Sequence, residues 1–397
     1  MPIEKPPISF SAGQHSAAKL PTTMPRLHFI DGLRGLAMLM VLCFHSAVNS
    51  DGWTVPGHLF GFVSFGYVGV NLFLVLSGFC LYWPFVQMRG RREPTLWEFA
   101  KKRCRRILPP YYAALLFFWA FLLLDVLTHH HYHEDATSLR HVVLSLFWHL
   151  SMLYNLSPAY ILSINGVFWS LGLEFSLYIL FPLLVEAFRR LGPWLPAMLV
   201  LTADLLWRHA VAGMLGPQAT LYQRFVLCDS LPGRCFEFAA GMTAAWIITR
   251  RGTAPAVSLL FTGLFLVSGA AAVWVTEHFG GDSTFPDALW GLSFASLVVA
   301  AVRPEGLLHR ALSAPLLVKL GVFSYSVYLI HLPLTKALDS LVMRHHLPPV
   351  LMGLGVIVPL MLGVGYLFHL LFERPFMTTR PAATRPVPAG EVSAPAV

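Results

Sequence analysis

Arg34 and His45 bound the stretch DGLRGLAMLMVLCFHS, residues 31–46, with ten residues between them and almost no other polar group. Eleven steps along an α-helix cover about 16 Å and come close to three full turns, so the two side chains share nearly one face. An imidazole changes charge near neutral pH and suits general-base work, while a guanidinium three turns away can hold an anionic end of the same ligand. Arg34 alone could snorkel to lipid headgroups, but a histidine deeper in the run gains nothing that way. The pair therefore points to chemistry.

Other residues fit the same pattern of expensive groups in apolar surroundings. RGRREPTLWEFAKKRCRRILPPYY packs eight Lys and Arg between positions 89 and 106. Such a run anchors a membrane protein on its cytoplasmic side, and Arg103 and Arg106 at i and i+3 could also clamp a phosphorylated ligand. Pro109 and Pro110 are expected to set how the following helix enters the membrane. Glu174 interrupts GVFWSLGLEFSLYILFPLL (166–184), where a carboxylate is costly unless paired or protonated; Tyr178 at i+4 shares its face, and a structural Glu–Arg pair is the competing account. Arg234 and Glu237, at i and i+3, read as one self-contained ion pair. LGVFSYSVYLIHLP adds Ser324, Tyr325, Tyr328 and His331, the last of which reads equally well as a satisfied core histidine. HHHYHED (129–135) has no zinc-type spacing and reads as a solvated loop, so no metal site is expected.

The elements that would carry these groups follow from composition. Only 12% of the 397 residues are charged and 56% are hydrophobic, with mean hydropathy +0.63. Soluble chains carry about 25% charged residues, so an all-α polytopic membrane protein is expected. Runs long enough to span a bilayer fall at about 30–48, 59–87, 107–128, 167–188, 194–214, 231–249, 256–276, 286–302, 315–340 and 349–372, which makes ten. With both termini cytoplasmic, 20 of the 28 Lys and Arg fall in cytoplasmic segments and three (Arg140, Arg224, Arg344) outside. That asymmetry is the positive-inside rule, and it accounts for the net charge of +8 without a nucleic-acid partner. An eleventh span over 139–156 would reverse the later loops, so this segment is placed as an external interfacial or re-entrant helix. Residues 1–26 lack an apolar core of their own and are expected as a disordered cytoplasmic segment, not a cleavable signal; 27–376 form the membrane domain and 377–397 a disordered cytoplasmic tail. The five cysteines are odd in number and show no metal-ligand spacing, so neither a disulfide framework nor a zinc site is expected.

No G-x-S-x-G, H-E-x-x-H, P-loop or dinucleotide fingerprint is present, which removes the common soluble hydrolase and nucleotide chemistries. The chain instead resembles the acyltransferase-3 family of integral membrane O-acyltransferases. The resemblance starts at FIDGLRGLAMLMVLCFH, with Arg34 and His45 in the family's Arg-x10-His pattern, and continues through GYVGVNLFLVLSGFCL, which holds Asn71. It includes Arg103-x-x-Arg106 in RCRRILPPYY, the segments FWSLGLEFSLYILFPLL and SYSVYLIHLP, and ends at FERPF (372–376), with Ser176 as one departure. The resemblance implies ten core helices, a cytoplasmic acyl-CoA donor, acetyl-CoA first, no tightly bound cofactor, and acylation of a hydroxyl, often on a sugar. It also implies a bacterial cytoplasmic membrane as location.

A thioester is already activated, so such an enzyme needs a base for the acceptor hydroxyl and a polar setting for the oxyanion. His45 is the expected base, with Glu174 orienting it or binding acceptor hydroxyls; Arg34, Arg103 and Arg106 are the expected donor-binding set. Asp31, Asn71, Tyr178, Ser324, Tyr325, Tyr328 and His331 are expected to support the site or bind the acceptor. His45 and Arg34 should share one channel that a CoA thioester occupies. The acceptor is expected to be a cell-envelope or lipid-linked saccharide, with a small secondary metabolite such as a macrolide sugar as the alternative. A proton-coupled transporter using His45, Glu174 and His331 is the rival from another class; the absence of an inverted repeat speaks against it.

Overall fold

The computed structural model describes residues 27–47, 61–87, 95–129, 138–216, 220–252, 254–280, 284–344 and 352–377, and no β-strand occurs among them. The expectations for residues 1–26, for Arg89, Arg91 and Arg92, for the histidine run from 130 onward and for the tail from 378 onward lie outside the described residues.

The first helix, α1 (His28–Ala47), carries Asp31 in its first turn, where a carboxylate complements the helix dipole. A one-turn segment and a short 3-10 turn lead into α2 (Gly69–Gln87), which packs on α1. The next helix, α3 (Leu96–His129), runs 34 residues without a break. It starts with a reciprocal cap, Thr95 Oγ1 accepting from Glu98 N (3.2 Å) and Glu98 Oε2 accepting from Thr95 N (2.9 Å). Pro109 and Pro110 therefore lie inside this helix and do not open it, and Arg103, Arg106 and the apolar span form one continuous rod. Lacking N–H groups, the two prolines leave the carbonyls of Arg105 and Arg106 without their usual helical donors, which loosens the rod where it carries its cations.

The α4 helix (Leu139–Leu150) has 12 residues, about 18 Å, too short to cross a bilayer of roughly 30 Å. His149 at its end is fully buried, stacked on Tyr154 at 4.2 Å, and burial pulls its imidazole down to about 4. Then come α5 (Trp169–Leu191), α6 (Trp194–Leu215), the short α7 (Leu221–Cys228) and α8 (Leu231–Arg251). The chain continues through α9 (Pro255–Phe279) and α10 (Pro286–Ala300) to the short α11 (Leu307–Leu312) and α12 (Pro315–Val322). It finishes with α13 (Ser324–Arg344) and α14 (Val358–Phe368), the latter bracketed by π-helical turns at Gly353–Ile357 and His369–Glu373.

Seven of the described helices are long and apolar enough to cross a membrane, and α12 with α13 makes an eighth if a bend of 71° is allowed within one span. The protein is thus a helical integral membrane protein, but the ten runs of the hydropathy pattern do not all become long lipid-facing rods. The α8 helix is buried along nearly its whole length between α2, α6 and α10 and carries Arg234 and Glu237 inside the protein. Its neighbour α10 has 15 residues. The α9 helix is the opposite case, presenting Leu259, Leu260, Leu266, Val267 and Trp274 outward as a lipid-facing surface would.

Two close backbone approaches hold the frame. A Cβ on Gly321 would lie 1.7 Å from the carbonyl oxygen of Asp31, so α12 rests directly on the first turn of α1 beside Arg34. Between α2 and α8 the approach is reciprocal: a Cβ on Gly78 would meet the Phe238 carbonyl oxygen at 2.0 Å, and one on Gly241 the Val75 carbonyl oxygen at 1.9 Å. Small residues at such crossings let helices pack where lipid offers no hydrophobic drive for association. Gly241→Val is expected to lower stability by about 3 kcal/mol or more, because backbone and not a flexible side chain must move. Thermal unfolding in detergent, read beside the exposed Gly263→Val, checks this; equal melting of the two variants would contradict it.

Candidate active site

Between α2, α3, α5 and α13 lies a cleft of about 960 Å³. Arg34, Arg103 and Arg106 line one end with Ser324 and Tyr325 beside them, Ser77, Glu174 and Tyr178 line its side, and Ser170 and Tyr328 lie farther along it. Arg34 sits 3.5 Å from Asp31 with its side chain 22% exposed. Arg103 lies over the Phe99 ring at 5.8 Å. Among the described residues neither Arg103 nor Arg106 has a carboxylate within ion-pair distance. Three guanidiniums in one cleft, two of them unneutralised, make a site for an anion of several charges.

Among the described residues no arginine holds Glu174. Its Oε1 accepts from Ser77 Oγ at 2.8 Å and from the Tyr178 hydroxyl, so α2 and α5 are joined through the carboxylate. The tyrosines are tied down in the same manner: Tyr325 donates to the Ile107 carbonyl (3.0 Å), and the Tyr328 hydroxyl meets Ser170 Oγ at 2.7 Å. Ser324 Oγ donates to the Gly321 carbonyl.

His45 does not line this cleft. The Tyr328 and Phe73 rings, edge to face at 5.8 Å, close the end away from the arginines. Behind them stand two histidine rings, Tyr328 to His331 at 5.6 Å and His331 to His45 at 5.0 Å between centroids. The cleft that holds Arg34 therefore does not reach His45 as the expected single channel would: Phe73 and Tyr328 line it, and His331 and His45 follow in turn beyond the Tyr328 ring. His45 keeps part of its surface accessible, whereas His331 is 1% exposed.

The hydrogen bonds of the pair settle its tautomers. His331 Nδ1 lies 2.8 Å from the Tyr328 carbonyl oxygen, which can only accept, so His331 carries its proton there and presents an unprotonated Nε2. That Nε2 is 3.1 Å from His45 Nδ1, which also lies 3.0 Å from the Val41 carbonyl oxygen. Both neighbours accept, so His45 donates from Nδ1, and its Nε2 lone pair has no partner among the described residues. A neutral imidazole held this way has a fixed orientation and one ring nitrogen able to accept a proton. Glu174 takes no part in holding it; the orienting group is His331.

Asn71 goes elsewhere. It is 1% exposed and donates to Glu237 Oε1 (3.3 Å) and Asp287 Oδ1 (2.7 Å). Arg234 binds Glu237 (2.7 Å), Asp229 (2.5 Å) and Asp287 (3.4 Å), and its guanidinium lies 5.7 Å from the Trp169 ring centroid. Arg208 pairs with Asp287. Asp204 Oδ2 accepts from the backbone N–H of Phe236. Arg234 and Glu237 are thus not self-contained: they are the centre of a buried network that ties α2, α6, α8 and α10 together.

Reading the sequence passed over Ser77, Ser170 and the group at the chain's end, where Glu373 Oε2 accepts from Ser326 Oγ (2.6 Å) and His369 Nδ1 (2.8 Å) while the residue lines the cleft. Glu373 belongs to FERPF and is the kind of intramembrane acid that warrants attention on type alone. A second opening of about 810 Å³ lies between α3 and α5, with an almost wholly apolar lining that includes Phe99, Leu108, Phe175 and Ile179; it shares Arg103, Glu174 and Tyr178 with the cleft and has the character of an alkyl-chain groove. Among the described residues no cluster of three or more His, Cys, Asp or Glu could hold a metal ion.

Residues 27–370 match the model of the family described as "Acyltransferase domain". The acyltransferase MdmB of Streptomyces mycarofaciens is 26% identical over 393 residues, covering 93% of this chain and 97% of the relative. The O-acetyltransferase OatA of Staphylococcus aureus (strain NCTC 8325 / PS 47) is 23% identical over 328 residues, covering 80% of this chain and 52% of the relative, so the chain spans about half the length of OatA. No solved structure gives a significant match.

Proposed function

Given that the chain belongs to this acyltransferase family, we propose that it moves an acetyl or other short acyl group from cytoplasmic acyl-CoA to a hydroxyl of a saccharide, with His45 as the base. The single observation that carries this reading is the His331–His45 relay, which leaves His45 Nε2 as an oriented acceptor behind a cleft lined by three arginines. The arginines hold the phosphates of CoA, and the pantetheine arm runs past Glu174 towards Tyr328. The Tyr328 and Phe73 rings must part for the thioester to reach His45. Nε2 takes the proton of the acceptor hydroxyl as its oxygen attacks the thioester carbonyl. The tetrahedral oxyanion collapses, the C–S bond breaks, and the CoA thiolate leaves and is protonated. The name of OatA, an O-acetyltransferase, supports acetyl and oxygen as the group and the atom.

The reading places the basic segments on the cytoplasmic side and counts ten crossings: the seven long helices, α8, α10 and the bent α12–α13 pair. Single-cysteine labelling at loops on either side tests that placement. Activity is tested with purified protein in nanodiscs, following CoA released from radiolabelled acetyl-CoA with and without a saccharide acceptor. Release that depends on acceptor supports the reading; a chain that moves protons and releases no CoA is a transporter.

His331→Ala removes the acceptor for His45 Nδ1–H. We expect kcat to fall about tenfold, the equivalent of one hydrogen bond, with KM for acyl-CoA nearly unchanged. In a His45→Ala background the same change should cost nothing further. An equal loss in both backgrounds would show that His331 acts independently of His45.

A further inference from the structure

We propose that Glu373 recognises the pantetheine arm of the donor, its Oε1 accepting a hydrogen bond from an amide N–H or hydroxyl of that arm. The inference rests on the acyl-CoA reading above. Arg34, Arg103 and Arg106 present only donors and suit phosphate, yet a carboxylate 1% exposed lines the same space and would repel a phosphate placed against it. A carboxylate there makes sense if the ligand offers a donor group beyond its phosphates. CoA does: its pantetheine arm carries two amide N–H groups and a hydroxyl.

The carboxylate is also built to wait for that partner. The last helix ends in the π-helical turn His369–Glu373, a form that is rare and often found at functional sites. In that turn His369 Nδ1 reaches Glu373 Oε2 at 2.8 Å, and Ser326 Oγ from α13 reaches the same oxygen at 2.6 Å. With Oε2 held from two sides, the group cannot swing to satisfy Oε1, which is buried without a hydrogen-bond partner among the described residues. A buried acceptor of this kind is uncommon in a folded protein and calls for a ligand group or a bound water.

The test uses full-length protein in nanodiscs and two probes: CoA, and 3′-phosphoadenosine 5′-diphosphate, which keeps the phosphates and lacks the arm. For Glu373→Ala we expect affinity for CoA to fall about 10- to 100-fold, the range for a hydrogen bond to a charged group, and affinity for the nucleotide to stay within about twofold. Arg106→Ala should weaken both probes. Ser326→Ala, which keeps the carboxylate but frees it, should weaken CoA alone and by less. Should Glu373→Ala fail to fold, Glu373→Gln serves: its one amide oxygen stays with the His369 and Ser326 donors, its NH2 takes the place of Oε1 and cannot accept, and affinity for CoA should fall about tenfold while that for the nucleotide stays within about twofold. Equal loss for both probes, or no loss for CoA, overturns the proposal and leaves the donor assignment standing. Wild-type protein that binds neither probe overturns the donor assignment itself, and this inference with it.

Discussion

Replacing His45 by alanine is expected to lower acyl transfer by about 10²- to 10⁴-fold, the usual worth of a positioned general base. The expectation comes from three linked facts. His45 Nδ1 is engaged with two acceptors, Val41 O and His331 Nε2, so Nε2 is the only atom of the ring left to take a proton. The residue is only half-buried, which suits approach of an acceptor hydroxyl. And the cleft that would hold the donor ends at Tyr328, whose ring touches that of His331. Because the arginines lie at the far end of the cleft, CoA should still stabilise His45→Ala protein against heat, by mass action on the folded state. Arg106→Ala should show the reverse, a raised KM for acyl-CoA with a smaller change in kcat. Steady-state kinetics with radiolabelled acetyl-CoA, together with thermal shifts by CoA, separates the two. His45→Ala protein that transfers acyl groups at the wild-type rate would remove the base from the mechanism and leave the arginine cleft without its reaction.

The helices themselves were legible because a bilayer imposes long apolar runs, and cationic residues between those runs order the topology. What a hydropathy profile cannot see is which side of a helix faces protein. The α8 helix looks like a span by length, yet it is packed on most sides and carries ions inward. The apolar run of α3 starts at 107, whereas the helix starts at Leu96, and the Thr95–Glu98 cap twelve residues before the run is the sequence signal for that start. The site divides in the same way. Arg34, Arg103, Arg106, Glu174, Tyr178, Ser324, Tyr325 and Tyr328 were all singled out by type and helical spacing, and all line one cleft. Contacts between distant parts of the chain were not legible: His45 meets His331 across 286 residues, and Asn71 meets Asp287 across 216. No local pattern encodes such a pairing. The π-helical turn that aims Glu373 is also invisible to a 3.6-residue periodicity, since it departs from that period by one residue.

Arg234→Leu is expected to destabilise the protein by about 3–5 kcal/mol, the cost of removing one partner from a buried ion pair. Its guanidinium is the meeting point of Asp229, Glu237 and Asp287, and among the described residues only the Arg208 cation would remain to face them. Water cannot take its place cheaply, because Glu237 is fully buried and Asp204 only 3% exposed, within a bundle whose outer surface is apolar. The energy belongs to the loss of balance and not to the pair as such. Arg234→Leu combined with Glu237→Leu removes one charge of each sign and should therefore recover a large part of the loss, as replacement of buried pairs by apolar residues can. Arg234→Lys keeps the charge but not the planar fork that reaches several carboxylates at once, and should fall between. Melting temperatures in detergent, with and without CoA, read the series. If the double variant melts no higher than Arg234→Leu alone, the network is not held by charge balance. The cation–π contact with Trp169 or the geometry of the fork must then carry its contribution, and Arg234→Lys, which preserves charge without that geometry, would melt as low as the leucine variant.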